Sequence, residues 1–205
     1  MNIFPRMGWG ACALIAASVL TSGCTAVGLA VGAAATTGVS VAQERTTRQA
    51  LTDAEIGITI NNSLLNHDRE LFVDVSTEVV EGRVLLTGNV SRPEDRVKAS
   101  EIVWATPDVV ELINELEVGG GGGGVQGYAE DMWIATQLRA KLLSDVDVNA
   151  INYNIETINQ TVHLIGIAQN EGELQRVVEI ASKVPGVKKV VSHVLTKNDE
   201  RRVTG

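Results

Sequence analysis

The chain has 205 residues, of which 44% are hydrophobic, 20% charged and only 3% aromatic, and its formal net charge is −8. This is globular composition, long enough for one domain or for two small ones with thin cores. An acidic balance of this size offers no basic stripe to nucleic acid, so that class of partner is set aside.

The N-terminus comes first because it bears on the compartment. Arg6 precedes a short apolar run, Ala11 to Leu20, too short to span a bilayer and typical of a secretory signal peptide. The run ends in Leu20-Thr21-Ser22-Gly23-Cys24, which is similar to the lipobox of bacterial lipoproteins, although Thr21 stands where Leu is commonest. Residues 1–23 are therefore expected to be a signal peptide and Cys24 the lipidation site. Cys12 leaves with the signal, so the mature chain holds one cysteine and no internal disulfide. Acyl chains on Cys24 would make a stable anchor. Thr25, rather than Asp, follows the cysteine, and by resemblance to Gram-negative lipoprotein sorting this favours the outer membrane. Residues 24–52 open with a segment rich in Ala, Gly, Val and Thr, poor helix material, and read as a tether.

The rest of the chain repeats itself. A shift of 78 positions, without a gap, lays Ile56, Ile60 and Leu64 on Ile134, Leu138 and Leu142, and Val84, Leu86 and Gly88 on Val162, Leu164 and Gly166. Ile102, Pro107 and Val109 fall on Ile180, Pro185 and Val187. Two domains are expected, at 53–118 and 128–197, followed by a polar tail at 198–205. Residues 119–127, with six consecutive glycines, join them as a flexible linker.

Each copy has one grammar. Asp53 to Leu65 puts apolar residues four apart on a helix face, and Phe72 to Val80 and Arg83 to Val90 flank Glu81-Gly82 as a hairpin. Ser91 and Glu94 suggest a capped helix that stops before Pro107, and Val109 to Val118 reads as a last strand. The second copy follows as Asp131–Leu143, Asn149–Ile158, Thr161–Ile167, Asn170–Val184 and Val187–Thr196. The fold class is α+β: each unit αββαβ, a three-stranded mixed sheet covered on one face by two helices. Gly88 and Gly166, inside strands, mark a bulge or a close backbone approach.

The αββαβ repeat with a mid-strand glycine, in Val84-Leu85-Leu86-Thr87-Gly88 and Val162-His163-Leu164-Ile165-Gly166, resembles the BON domain. Two such units after a lipobox resemble the dual-BON outer-membrane lipoproteins of the division- and stress-associated lipid-binding type. The resemblance implies a non-enzymatic protein, without cofactor, that supports envelope integrity. It implies binding of anionic phospholipid, phosphatidylglycerol and cardiolipin, by the first helix of the second domain, here Asp131 to Leu143.

Charge and helix geometry provide a separate check. From Gln43 to Val118 there are seven Lys/Arg against fifteen Asp/Glu, whereas from Tyr128 to Gly205 there are nine against ten. An anionic surface repels the first copy and nearly ignores the second. Trp133 stands where the first copy has Glu55, Arg139 where it has Asn61, and Lys141 where it has Ser63. Trp133, Thr136 and Ala140 share a helix face away from the core stripe, and Trp suits a bilayer interface. The candidate phospholipid-binding residues are thus Trp133, Thr136, Arg139, Ala140 and Lys141. Packing against the first domain is the competing reading for Trp133, and an ordinary solvated face for the two cations. Lys188 and Lys189 could add charge, and Trp104 is expected to pack in the core or between domains.

The sequence bears on two other function classes. His67, His163 and His193 show no metal-ligand spacing, and no nucleophile is set beside a base, so neither a metal site nor a catalytic residue is expected. A protein-interaction role is the rival, with the acidic first domain docking an outer-membrane assembly machine or another envelope partner.

Overall fold

The computed structural model describes residues 46–119 and 124–202. The expected signal peptide, Cys24 and most of the tether lie outside the described residues.

The first domain runs α1 (Thr47–His67), α2 (Arg69–Asp74), β1 (Val75–Val80), β2 (Arg83–Val90), α3 (Pro93–Trp104) and β3 (Glu111–Val118). The second runs α4 (Gly124–Ser144), a 3-10 turn (Ala150–Asn152), β4 (Tyr153–Ile158), β5 (Thr161–Ala168), α5 (Glu171–Ser182), β6 (Lys189–Ser192) and β7 (Leu195–Thr196). In each sheet the central strand pairs antiparallel with the first and parallel with the last, a three-stranded mixed sheet in strand order β1-β2-β3 and β4-β5-β6.

Several element ends differ from the sequence reading, each for a local reason. Helix α1 starts at Thr47, inside the expected tether, because Thr46 and Gln49 form a reciprocal capping box. Helix α4 starts at Gly124, so residues 124–127 belong to it and not to the linker. Phe72 to Asp74 are helical rather than extended, since the Asp68 carboxylate accepts the N–H groups of Glu70 and Leu71 and starts α2. The cap of α3 is Arg92, not Ser91. Pro93 takes the first turn and Arg92 pairs with Asp95 instead of capping through its side chain. The last strand of the second domain is broken at His193-Val194, and both pieces pair with β5.

Each hairpin is held by a carboxylate of a helix that precedes it. Glu81 and Gly82 have φ of 54° and 72°, and Asn159 and Gln160 have 52° and 64°, the left-handed pair of a tight I′ turn. Asp53 accepts both turn N–H groups in the first domain, at 2.9 Å each. Asp131 does the same in the second, at 2.9 and 2.7 Å. The helix is latched to the hairpin by one residue at the same repeat position.

Gly88, at φ +132°, faces the start of β1 so closely that a Cβ would sit 1.9 Å from the Asp74 carbonyl oxygen. Gly166 stands in the same relation to the Asn152 carbonyl oxygen, at 2.1 Å. The side chain is missing where one backbone crosses another.

Each domain has its own core between helices and sheet. Ile56, Ile60, Leu64, Val84, Leu86, Ala99 and Val103 fill the first, and Ile134, Leu138, Leu142, Val162, Leu164, Val177 and Ala181 the second. The helix-free faces of the two sheets pack on each other. Val80, Leu85, Ile165 and Ile167 form a third buried cluster there, with Ile113 against it. A polar rim surrounds it: Arg83 donates to the His193 carbonyl, Asn154 to Glu78, and Asn159 to Asn89 and Glu117. Arg202, from the expected polar tail, makes a two-bond pair with Glu81, both side chains almost fully buried. Trp104 does not join this interface. It is 58% exposed, because Ala99 and Val103 take the inward positions of α3 and Trp104 follows one residue later.

Candidate functional site

Helix α4 buries Ile134, Leu138 and Leu142 and turns the opposite face outward. Ala129, Trp133, Thr136, Ala140 and Leu143 are all exposed, at alternating spacings of four and three, and make one uncharged stripe along the helix. Trp133 is 49% exposed and Leu143 70%. Tyr128, Met132 and Val125 widen the stripe toward its N-terminal end, and Val146 continues it past the last turn. The Thr136 hydroxyl donates to the Met132 carbonyl at 2.8 Å, so covering this face leaves no orphan hydroxyl.

The candidate residues do not all come together. At about 100° per residue, Trp133, Thr136 and Ala140 share the stripe and Arg139 borders it on one side. Lys141 lies about 80° from Trp133 on the other side, toward the buried edge, and stands apart from the rest. Arg139 also acts on Glu156 in β4, whose carboxyl is pushed up to about 8 by burial and by the neighbouring Glu78, with Arg139 drawing it partly back. The acidic residues of the helix are engaged elsewhere. Asp131 holds the hairpin and Glu130 accepts from Gln160 at 2.7 Å. Lys188 and Lys189 are exposed, and the Lys188 N–H bonds to the Gln160 carbonyl beside that same hairpin.

The first domain is the internal control. Leu51, Ile58 and Leu65 are exposed on α1, at the repeat positions of Ala129, Thr136 and Leu143. There the stripe is interrupted by Glu55 in place of Trp133 and by Asn62 in place of Ala140. The outward apolar surface is continuous only in the second domain.

Leu143, Tyr128 and Met132 were not singled out from the sequence. The Leu142-Leu143 doublet carried the signal for the first of them, since a helix can bury only one of two adjacent leucines in one stripe. Between the domains, beside Met132, lies an open cleft of about 500 Å³ whose walls include Asp74, Asp131 and Glu156. The acidic side chains of Asp74 and Asp131 make it a poor place for an anionic headgroup. Of the three histidines, His163 and His193 come together with Glu115 at the interface, their ligating atoms within 4.8 Å of one another. No helix among the described residues is long and apolar enough to cross a membrane.

The BON domain family profile matches residues 52–120 and again residues 130–198. The chain is 29% identical to the outer membrane lipoprotein DolP of Haemophilus influenzae, over 87% of this chain and 91% of that one. It is 29% identical to the osmotically-inducible protein Y of Escherichia coli, over 71% and 73%. A protein from the gshII 5′ region of Anaplasma centrale is 38% identical over 73% of this chain and 98% of its own length. Among solved structures, CdsD of the Chlamydia trachomatis type III secretion system is 16% identical with a TM-score of 0.29. That match covers 70% of this chain and 63% of the other, and is too weak to bear on function.

Proposed function

Because this chain belongs to the BON-domain family and carries the domain twice, we propose that it is a non-enzymatic envelope lipoprotein that binds anionic phospholipid through α4 of its second domain. In this reading Cys24 anchors it in the outer membrane, the domains face the periplasm, and lipid binding helps maintain envelope integrity. Similarity to an outer membrane lipoprotein over 87% of the chain supports the location.

The observation that carries the lipid reading is the exposed, uncharged stripe of α4 that includes Trp133. A half-exposed Trp offers about 100 Å² of apolar surface, worth about 2–3 kcal/mol when it enters a bilayer interface. Arg139, at the Leu143 edge of the stripe, adds about 1 kcal/mol on an anionic surface, and Lys188 and Lys189 could each add a similar amount. Such a site is weak in isolation. A tether to the same membrane makes weak sufficient, because it raises the local concentration.

The test is flotation of residues 25–205, which hold both domains without Cys24, with phospholipid vesicles. Binding to phosphatidylglycerol or cardiolipin vesicles, weakened by salt, and absent with phosphatidylcholine supports the reading. Equal binding to phosphatidylcholine, or none to either, rejects it.

A second reading rests on α1. Its exposed Leu51, Ile58 and Leu65 sit beside Glu55 in an acidic domain, a surface suited to a protein with complementary basic and apolar groups, such as an outer-membrane assembly machine. Ile58→Glu would abolish that docking and leave vesicle binding intact.

A further inference from the structure

Where the two helix-free faces meet, a histidine is buried beside the apolar cluster. His163 lies in β5 at the repeat position of Leu85, within the layer formed by Val80, Leu85, Ile165 and Ile167. It is 5% exposed, and its Nδ1 is buried without a hydrogen bond to any described residue. Beside it His193, at the break between β6 and β7, sets its Nε2 3.0 Å from Glu115 Oε1 of the other domain. The three ligating atoms lie within 4.8 Å of one another.

We infer that Glu115, His163 and His193 form a binding site for a divalent transition metal, Zn²⁺ foremost, that clamps the two BON domains together. The donor set is two imidazoles and one carboxylate, which suits Zn²⁺ and excludes Ca²⁺ and Mg²⁺, both of which take oxygen ligands. In a tetrahedron with bonds of about 2.0–2.1 Å, neighbouring donors stand about 3.3 Å apart. The His193–Glu115 pair is already near that spacing, so closing the triad on an ion asks for side-chain rotation and not for backbone movement.

The simpler account, an interdomain hydrogen bond between His193 and Glu115, leaves His163 unexplained. Buried polar atoms in native proteins are nearly always paired, and an apolar residue such as Leu85 serves the same repeat position in the other sheet. A metal supplies the missing partner. The neutral imidazole is the form of histidine that ligates a metal. Among the charges near His163, Glu115 and Glu117 favour a cation and Lys189 opposes one.

The site does not depend on lipid binding, and its test is separate. Residues 25–205 also leave out Cys24, so no thiol competes for the ion. Equilibrium dialysis against micromolar Zn²⁺ should retain one ion per chain and raise the Tm. His163→Gln and His193→Gln should each weaken retention at least tenfold, while His67→Gln, at the exposed C-terminal end of α1, should not. Should a His variant fail to fold, Co²⁺ added to the unsubstituted chain gives the answer. A strong visible band marks a four-coordinate site, and the weak spectrum of hydrated Co²⁺ overturns the proposal. Zinc retention unchanged in both folded His variants, or no retention by the parent chain, overturns it too.

Discussion

Glu115 and His193 occupy the same place in the two repeats, 78 residues apart, and touch each other across the domain interface at 3.0 Å. Glu78 and Glu156 are related in the same way: the protonated carboxyl of Glu156 donates to the Glu78 carboxylate. Contact between equivalent positions is what a pseudo-twofold axis produces. The duplicated domain pairs with itself face to face, much as an isologous dimer does.

The Glu78–Glu156 contact makes stability depend on pH. Burial and the Glu78 charge push Glu156 up to about 8, so it holds its proton in the folded chain where an unfolded carboxyl has lost it. The folded state binds more protons across that range, so its stability falls as pH rises toward about 8 and then levels off. His163, kept neutral by burial, contributes only below about pH 6.5. Thermal unfolding with a chelator present should show Tm falling between pH 6.5 and 8.5. Glu156→Gln should flatten that slope and raise Tm at pH 8.5. An unchanged slope in the variant would refute the assignment.

Arg202 ties the C-terminal segment to the first hairpin through Glu81, with side chains 5% and 1% exposed. Removing one partner of a buried pair strands the other charge. Arg202→Ala should therefore lower stability by about 3 kcal/mol in urea unfolding. Arg202→Lys should recover only part of it, since an ammonium cannot make the parallel bonds of a guanidinium. A loss below about 0.5 kcal/mol, the size of an ordinary surface substitution, would contradict the burial.

The glycines offer a paired test. A methyl group at Gly88 or Gly166 would overlap a carbonyl oxygen of the preceding segment, whereas at Gly57 in α1 it would make an ordinary 3.7 Å contact with Val79. Gly88→Ala and Gly166→Ala should each cost several kcal/mol and leave little folded protein. Gly57→Ala should add about 0.5–1 kcal/mol. Measured Tm values decide it. Similar small effects at all three positions would mean the close approaches are not real.

Much of this fold was legible because the repeat supplies two independent readings of each element. Ile56 and Ile134, or Val84 and Val162, announce the same core positions twice. Helix starts were less legible. Thr46 with Gln49, and Asp68 as a cap, act through side-chain geometry that apolar periodicity does not encode. The domain pairing was hidden for a different reason. Leu85 and Ile165 sit within continuous apolar runs, Val84 to Leu86 and Leu164 to Ile167, which signal a strand buried on both faces without naming what covers the second face. The approach of His163 to His193 and Glu115 follows from that pairing, so sequence spacing could not show it. On α4, Trp133, Thr136 and Ala140 fell out of helix geometry, whereas the separation of Lys141 from them required counting angles around the whole helix.

The contribution of Trp133 to membrane binding is the central quantity to measure. Residues 25–205 would be titrated with phosphatidylglycerol vesicles at low salt, alongside Trp133→Glu and the α1 control Ile58→Glu. The loss of about 2–3 kcal/mol of interfacial burial predicts roughly 50-fold weaker binding for Trp133→Glu, with Ile58→Glu unchanged. Equal affinity for the parent chain and Trp133→Glu, or a greater loss in Ile58→Glu, would contradict a lipid site on α4.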